Sequence, residues 1–240
     1  MFQTDPFSLI VLLVGLSLLP FVAMIATSYL KIVVVMSLIR NALGIQSIPP
    51  NMVVNALAMI LSFYIMAPVA SESWAILQTR TESRRAEARA EAKPPTAESQ
   101  AEGAPGTAIV GFETSDFAAA SEPFRKFLSD HTSARERAFF VNTAETLWGK
   151  DGEPAVVDHE SFYILLPSFC VSELTKSFQI GFLVYLPFIA IDIIVSNILL
   201  AMGMMMVSPV TISLPFKLLL FVMVNGWTLL IQGLVRGYII

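Results

Sequence analysis

Ala201-Met202-Gly203-Met204-Met205-Met206-Val207-Ser208-Pro209 joins two long apolar segments, and four of its nine residues are methionine. Gly203 and Pro209 bracket the stretch, and Pro215 follows. Proline has no backbone N–H to give to a continuing helix. The stretch therefore reads as a helix end and a loop held at membrane depth. Irregular backbone at that depth is tolerated only where protein covers it or where it lines a cavity. Methionine is unbranched and flexible, and closes around irregular shapes. One such loop per subunit, repeated around an axis, would make a soft seal. The plainer alternative is that these methionines fill a core.

The surrounding chain has 240 residues, is 55% hydrophobic and carries a net charge of −4. That composition suits an integral membrane or membrane-complex protein better than a soluble enzyme, and the small charge suggests no nucleic-acid partner. Most charges lie between Arg80 and Glu160, so two apolar blocks flank a polar, mildly acidic one. The single cysteine, Cys170, excludes an internal disulfide and a CxxC metal site. It reads as a small buried apolar residue. The apolar run from Phe7 is longer than the core of a signal peptide and follows a start with Asp5 and no Lys or Arg, so it is expected to be retained.

Phe7 to Leu30 is uncharged and long enough to cross a bilayer, with Pro20 expected to kink it. Lys31 and Arg40 enclose an apolar stretch that Asn41-Ala42-Leu43-Gly44 should stop. With no acidic residue between Lys31 and Glu72, the positive-inside rule puts this connection in the cytoplasm. Asn51 is expected to cap the next apolar segment, Met52 to Ala70. Arg80 to Lys93 could continue that helix through charge pairs such as Arg84 with Glu87. Pro94-Pro95 ends the option, and Lys93 to Thr107 reads as a mobile linker. Phe112 to Trp148 regains helical patterning, with Ser133 and Glu136 as a capping box. His131 reads as a solvated loop histidine. His159 stands beside Asp158 and Glu160 without the spacing of a metal site.

Beyond it, Ser161 to Gly181, Phe182 to Leu200 and Leu214 to Ile231 are apolar. Glu173 and Lys176, three apart, share a helix face. Asp192 and Lys217 lie inside apolar segments, where a lone charge costs roughly 2.5–3.5 kcal/mol. The methionine loop lies about midway between them, so an antiparallel hairpin would bring them level. They could pair within a subunit or across a boundary, for structure or for function. If they pair, Asp192→Asn and Lys217→Met should each do more harm than the charge-swapped double variant. With Lys31, Arg40, Glu173 and Lys176 they form a set of charges expected to be buried in subunit packing. The fold class is all-α: membrane-associated helical hairpins with a polar helical middle region. Residues 1–72 form an N-terminal apolar hairpin, 73–111 a charged, Pro/Ala-rich insertion that is partly disordered, 112–160 a small polar helical region, and 161–240 apolar helices with the methionine loop. No HExxH, GxSxG, Walker A or GxGxxG pattern occurs, so an enzyme is not expected and no catalytic, cofactor-binding or metal residue is assigned.

Several of these runs resemble the FliP/SctR proteins, export-gate subunits of type III secretion systems. In the first block they are Ser28 through Gly44, Pro49-Pro50-Asn51 and Ile65-Met66-Ala67-Pro68-Val69. In the second they are Ser172-Glu173-Leu174, Phe178-Gln179-Ile180-Gly181-Phe182, Leu186-Pro187-Phe188, Ile191-Asp192, Met202-Gly203-Met204-Met205-Met206, Ser213-Leu214-Pro215-Phe216-Lys217 and Gly226-Trp227. The retained start and Arg40-Asn41-Ala42-Leu43-Gly44 look more like the virulence (SctR) branch than the flagellar one. The resemblance implies a ring of five copies that assembles with SctS-type and SctT-type subunits, with an SctU-type subunit as a further partner, into a helical export gate in the bacterial inner membrane. It implies that the assembly stands largely above the bilayer plane, with the polar middle region periplasmic. Unfolded secreted proteins would be the substrates, and Met204, Met205 and Met206 would form the gasket of the closed channel. Asn225 departs from the family pattern, in which an acidic residue precedes Gly-Trp. Two rivals remain at this stage: an ion or solute transporter that uses Asp192 and Lys217 as a relay and works alone in liposomes, and an assembly scaffold with no part in a pore.

Overall fold

The computed structural model describes residues 6–45, 48–91, 114–149 and 156–239, and every regular element among them is helical. In chain order these are α1 (Pro6–Ile25), α2 (Tyr29–Ala42), α3 (Asn51–Glu91), α4 (Thr114–Ala120), α5 (Glu122–His131), α6 (Ala134–Trp148), α7 (Phe162–Ala201), α8 (Pro209–Met223) and α9 (Gly226–Arg236). The chain divides into two compact units, residues 67–130 and the remainder.

In the larger unit α7 is the spine. Helices α2, α6 and α8 all pack on it. Ile32, Val35, Met36 and Ile39 of α2 and Leu43 at its C-cap recur at helical spacing and are at most 1% exposed. Full burial of such side chains is worth roughly 1.5–3 kcal/mol each. The opposing face of α7 carries small residues, Ser168, Ser172, Ser177 and Gly181. A Cβ on Gly181 would come within 2.3 Å of Leu38 Cδ1, so the two helices meet where one has no side chain. Ser168 and Ser177 turn their hydroxyls back to the carbonyls of Ile164 and Glu173, and the Ser172 hydroxyl accepts from the Ser133 amide.

Several expectations are corrected. The first apolar segment breaks not at Pro20, which sits inside α1, but at Ala26–Ser28. There Ser28 donates to Ser62 and Ser62 to Thr27, so side-chain hydroxyls bridge the gap between helices. Ser161–Gly181 and Phe182–Leu200 are one helix, with Pro167 and Pro187 inside it. The last segment is two helices: α8 and α9 are bent by 59°. Their link, Asn225, has φ 51°, and Gly226 faces the Phe221 ring so closely that a Cβ would lie 2.3 Å from it. Asparagine tolerates the left-handed region better than other non-glycine residues, which gives Asn225 a backbone role where the family pattern has an acid. Asn225→Val should lower stability by about 1–2 kcal/mol while Asn225→Gly changes it little; thermal unfolding of the purified protein would measure both. Asn51 does not cap α3. The amides of Val53 and Val54 bond to Pro50 O, and the Asn51 side chain is taken by Arg40.

The Arg80–Lys93 charge run does continue its helix, since α3 runs unbroken to Glu91. The side chain of Glu87 and the linker at 93–107 lie outside the described residues. In the smaller unit Arg84 instead holds the buried Asp116 through two bonds of 2.7 and 2.8 Å. Ser133 caps α6, accepting from the Arg135 amide. Its hydroxyl also bonds the Glu136 carboxyl and holds it below the usual glutamate range, but the reciprocal half of the expected capping box does not form, because the Ser133 amide donates to Ser172 Oγ at 2.6 Å.

Two helices, Asn51–Arg84 of α3 and Phe162–Ala201, are long and apolar enough to cross a membrane, and up to four spans result if each bent pair counts as one.

Candidate functional site

Three features of the larger unit form the site: a capped methionine loop and two ion nodes on α7. The loop follows from local rules. α7 ends at Ala201, and Gly203 takes φ 74°. The Gly203 amide bonds Leu200 O and the Met204 amide bonds Leu199 O, both at 3.0 Å. This pair of bonds is the Schellman ending, which needs glycine at the left-handed position. Ser208 then precedes α8, and Pro209 occupies its first turn, where a missing N–H costs nothing. The loop is thus fixed at both ends while its side chains stand free. Met204 is 44% exposed, Met205 81% and Met206 100%. Among the described residues nothing covers Met205 or Met206, so these two do not fill a core within the single chain.

The first ion node surrounds Glu173, which is fully buried. Lys31 of α2 reaches it at 3.0 Å and Lys176 at 3.2 Å. The Tyr238 hydroxyl donates to Glu173 Oε2, and the Tyr238 ring lies 3.7 Å from Lys31 Nζ. Lys176 also donates to His131 O at 2.6 Å. One reading is narrowed here and one expectation overturned. Lys31 is a buried ion-pair partner in α2, so any positive-inside argument for this connection rests on Arg40 alone. His131 is buried, not solvated, with its ring 5.0 Å from that of Tyr238.

The second node joins the α7–α8 hairpin. Asp192 accepts from Lys217 and from Ser213, each at 2.6 Å. Lys217 also donates to Ala42 O at 3.3 Å, at the negative end of the α2 dipole. The two nodes are 19 residues apart on one helix, about 28 Å at 1.5 Å per residue, close to one hydrocarbon thickness.

Arg40 stands apart from both nodes. It donates to Pro49 O at 3.2 Å and to Asn51 Oδ1, and so pins the turn between α2 and α3. Sequence reasoning missed Ser213, Tyr238 and the Ala42 carbonyl. Ser213 stands four residues before Lys217, a same-face spacing that could have flagged it. Tyr238 had no local signal. Among the described residues no group of three or more His, Cys, Asp or Glu is arranged to hold a metal.

The FliP family model matches residues 12–234. The chain is 49% identical to "Yop proteins translocation protein R" of Yersinia pestis over 98% of this chain and 97% of that one. It is 46% identical to "Hypersensitivity response secretion protein HrcR" of Ralstonia nicotianae over 96% of each. It is 42% identical to "Virulence protein YscR" of Salmonella typhimurium over 98% of this chain and 97% of that one. With matches of this extent, the chain belongs to the FliP family, on the side where these virulence-associated relatives stand.

Proposed function

We propose that several copies of this chain ring a protein-conducting passage, and that Met204, Met205 and Met206 of each copy close it. Family membership makes the chain a component of a type III secretion export apparatus seated in the bacterial inner membrane. The observation that carries the finer reading is the loop itself. Three flexible apolar side chains stand uncovered at the tip of an apolar hairpin, between the Schellman ending of α7 and the proline that starts α8. Exposed apolar surface of this kind calls for a partner, and copies related by a rotation axis supply one for every loop at once. Methionines can part around an extended chain of any sequence and close again when it leaves.

Five copies, SctS-type and SctT-type neighbours, an SctU-type contact and unfolded secreted proteins as cargo complete the reading. Residues 112–160 then form a periplasmic helical layer between the apolar regions 1–72 and 161–240. The six buried or half-buried charges hold helices together within each copy. Asp192 has two donors and Lys217 two acceptors inside the chain, which favours a structural pair over an ion relay. Replacing Met204, Met205 and Met206 together by alanine should raise ion leak through the assembled complex several-fold while secretion continues. Conductance of the purified complex in bilayers, beside a secretion assay, reads both; leak equal to wild type would end the gasket assignment.

A further inference from the structure

The helix α9 is short and is tied mainly at its ends. It has 11 residues, and isolated helices shorter than about 12–15 residues are marginal on their own. At its near end the chain bends by 59°, and Trp227 meets the Phe221 ring edge-on at 5.3 Å. Between the ends, Leu234 is its one buried side chain. The far end is anchored by Tyr238. Past Arg236 the backbone stays closed, with the Tyr238 amide on Val235 O at 3.0 Å and the Ile239 amide on Arg236 O at 3.1 Å. From that turn the Tyr238 hydroxyl donates to Glu173 of α7, and its ring lies 3.7 Å from the Lys31 ammonium of α2. The same ring lies 5.0 Å from that of His131, at the end of α5.

One side chain thus touches three elements that are far apart in sequence. The surface it lands on is already assembled without it. Lys31 and Lys176 hold Glu173, Lys176 donates to His131 O, and the Ser133 amide donates to Ser172 Oγ at 2.6 Å. A hydrogen bond to a buried charge is among the strong ones, and a ring over a desolvated ammonium adds to it. The preceding helix is held separately. Lys217 and Ser213 fasten α8 to Asp192, and the amides of Val224 and Asn225 close its end on Leu220 O and Val222 O. Nothing in α8 therefore depends on where α9 lies. We propose that α9 is a latched arm: Tyr238 closes it on the Glu173–Lys31 node, and on release the arm opens at Asn225-Gly226 while α8 and the methionine loop stay in place. Tyr238 is a positioning residue in this device. The latch belongs to a single copy and does not rest on the gate reading.

Hydrogen exchange in the whole chain, purified in detergent, reads such local opening. In Tyr238→Leu the amides of residues 229–237 should exchange at least about tenfold faster, while those of α7 and α8 keep their wild-type rates. Tyr238→Phe keeps the ring over Lys31 and beside His131 and loses only the hydroxyl. The same residues should then exchange faster by a smaller factor, about threefold. No acceleration at 229–237 in Tyr238→Leu would overturn the latch. An equal acceleration through α7, α8 and α9 would overturn it too, because Tyr238 would then be ordinary packing for the whole unit. Should Tyr238→Leu fail to fold, Tyr238→Phe decides alone: a rise confined to 229–237 sustains the proposal, and a flat profile or one spread over α7 and α8 overturns it.

Discussion

Glu173→Gln is expected to cost the folded chain about 3–5 kcal/mol, because it strands a buried ammonium. The carboxylate is fully buried, and Lys31, 4% exposed at its side chain, depends on it at 3.0 Å. Glutamine keeps the shape and still accepts from the Tyr238 hydroxyl, so the loss isolates charge from packing. Lys176 suffers less: its side chain is 38% exposed, and it retains its bond to His131 O. The discriminating variant is Lys31→Met with Glu173→Gln, which removes both buried charges. A neutral buried pair of similar volume is often no worse than the ion pair it replaces, so the double variant should recover most of the loss. Thermal unfolding of the purified protein and its steady-state level in membranes would measure this. If Glu173→Gln unfolds with the wild type, the node does not hold α2 to α7.

What the sequence disclosed of this architecture divides by distance along the chain. The ends of the methionine loop were legible because glycine at a left-handed position and proline in a first helical turn act through their own backbone. Glu173 with Lys176, and Ser133 with Glu136, were legible because partners three residues apart on a helix must meet. Asp192 and Lys217 were legible one step further out, since a hairpin with its loop midway between them brings them level. Lys31 and Tyr238 were not: they approach Glu173 from α2 and from the turn after α9, and nothing next to either residue specifies that approach. The break at Asn225-Gly226 was a different kind of miss. Asn-Gly is a turn signal, and the hydropathy on either side of it hid the signal. Neither the proposed ring nor its axis could be read from one chain by any local rule; the exposed methionines only state that a cover is needed.

Asp192 and Lys217 carry the other large expected effect, and the structure reverses the order that pairing alone suggests. On charge alone, swapping the two should restore what either single change destroys. The surroundings are not symmetric, however. Lys217 is 5% exposed at its side chain and Asp192 31%. Asp192→Asn leaves a buried ammonium with no counter-charge and only neutral acceptors, such as the Ala42 carbonyl at 3.3 Å, and should cost about 3 kcal/mol. Lys217→Met leaves a carboxylate that still accepts from Ser213 and reaches solvent, so its cost should be nearer 1 kcal/mol. In the swap, a new carboxylate at position 217 would face the Ala42 carbonyl and the negative end of the α2 dipole, where a cation is favoured. A new ammonium at position 192 could only donate to the Ser213 oxygen, reversing the present bond. The swapped double variant should therefore be at least as damaged as Asp192→Asn, in both the yield of assembled complex and secretion. Full recovery on swapping would mean that the pair acts through its mutual attraction alone and that its tie to the α2 terminus carries no weight.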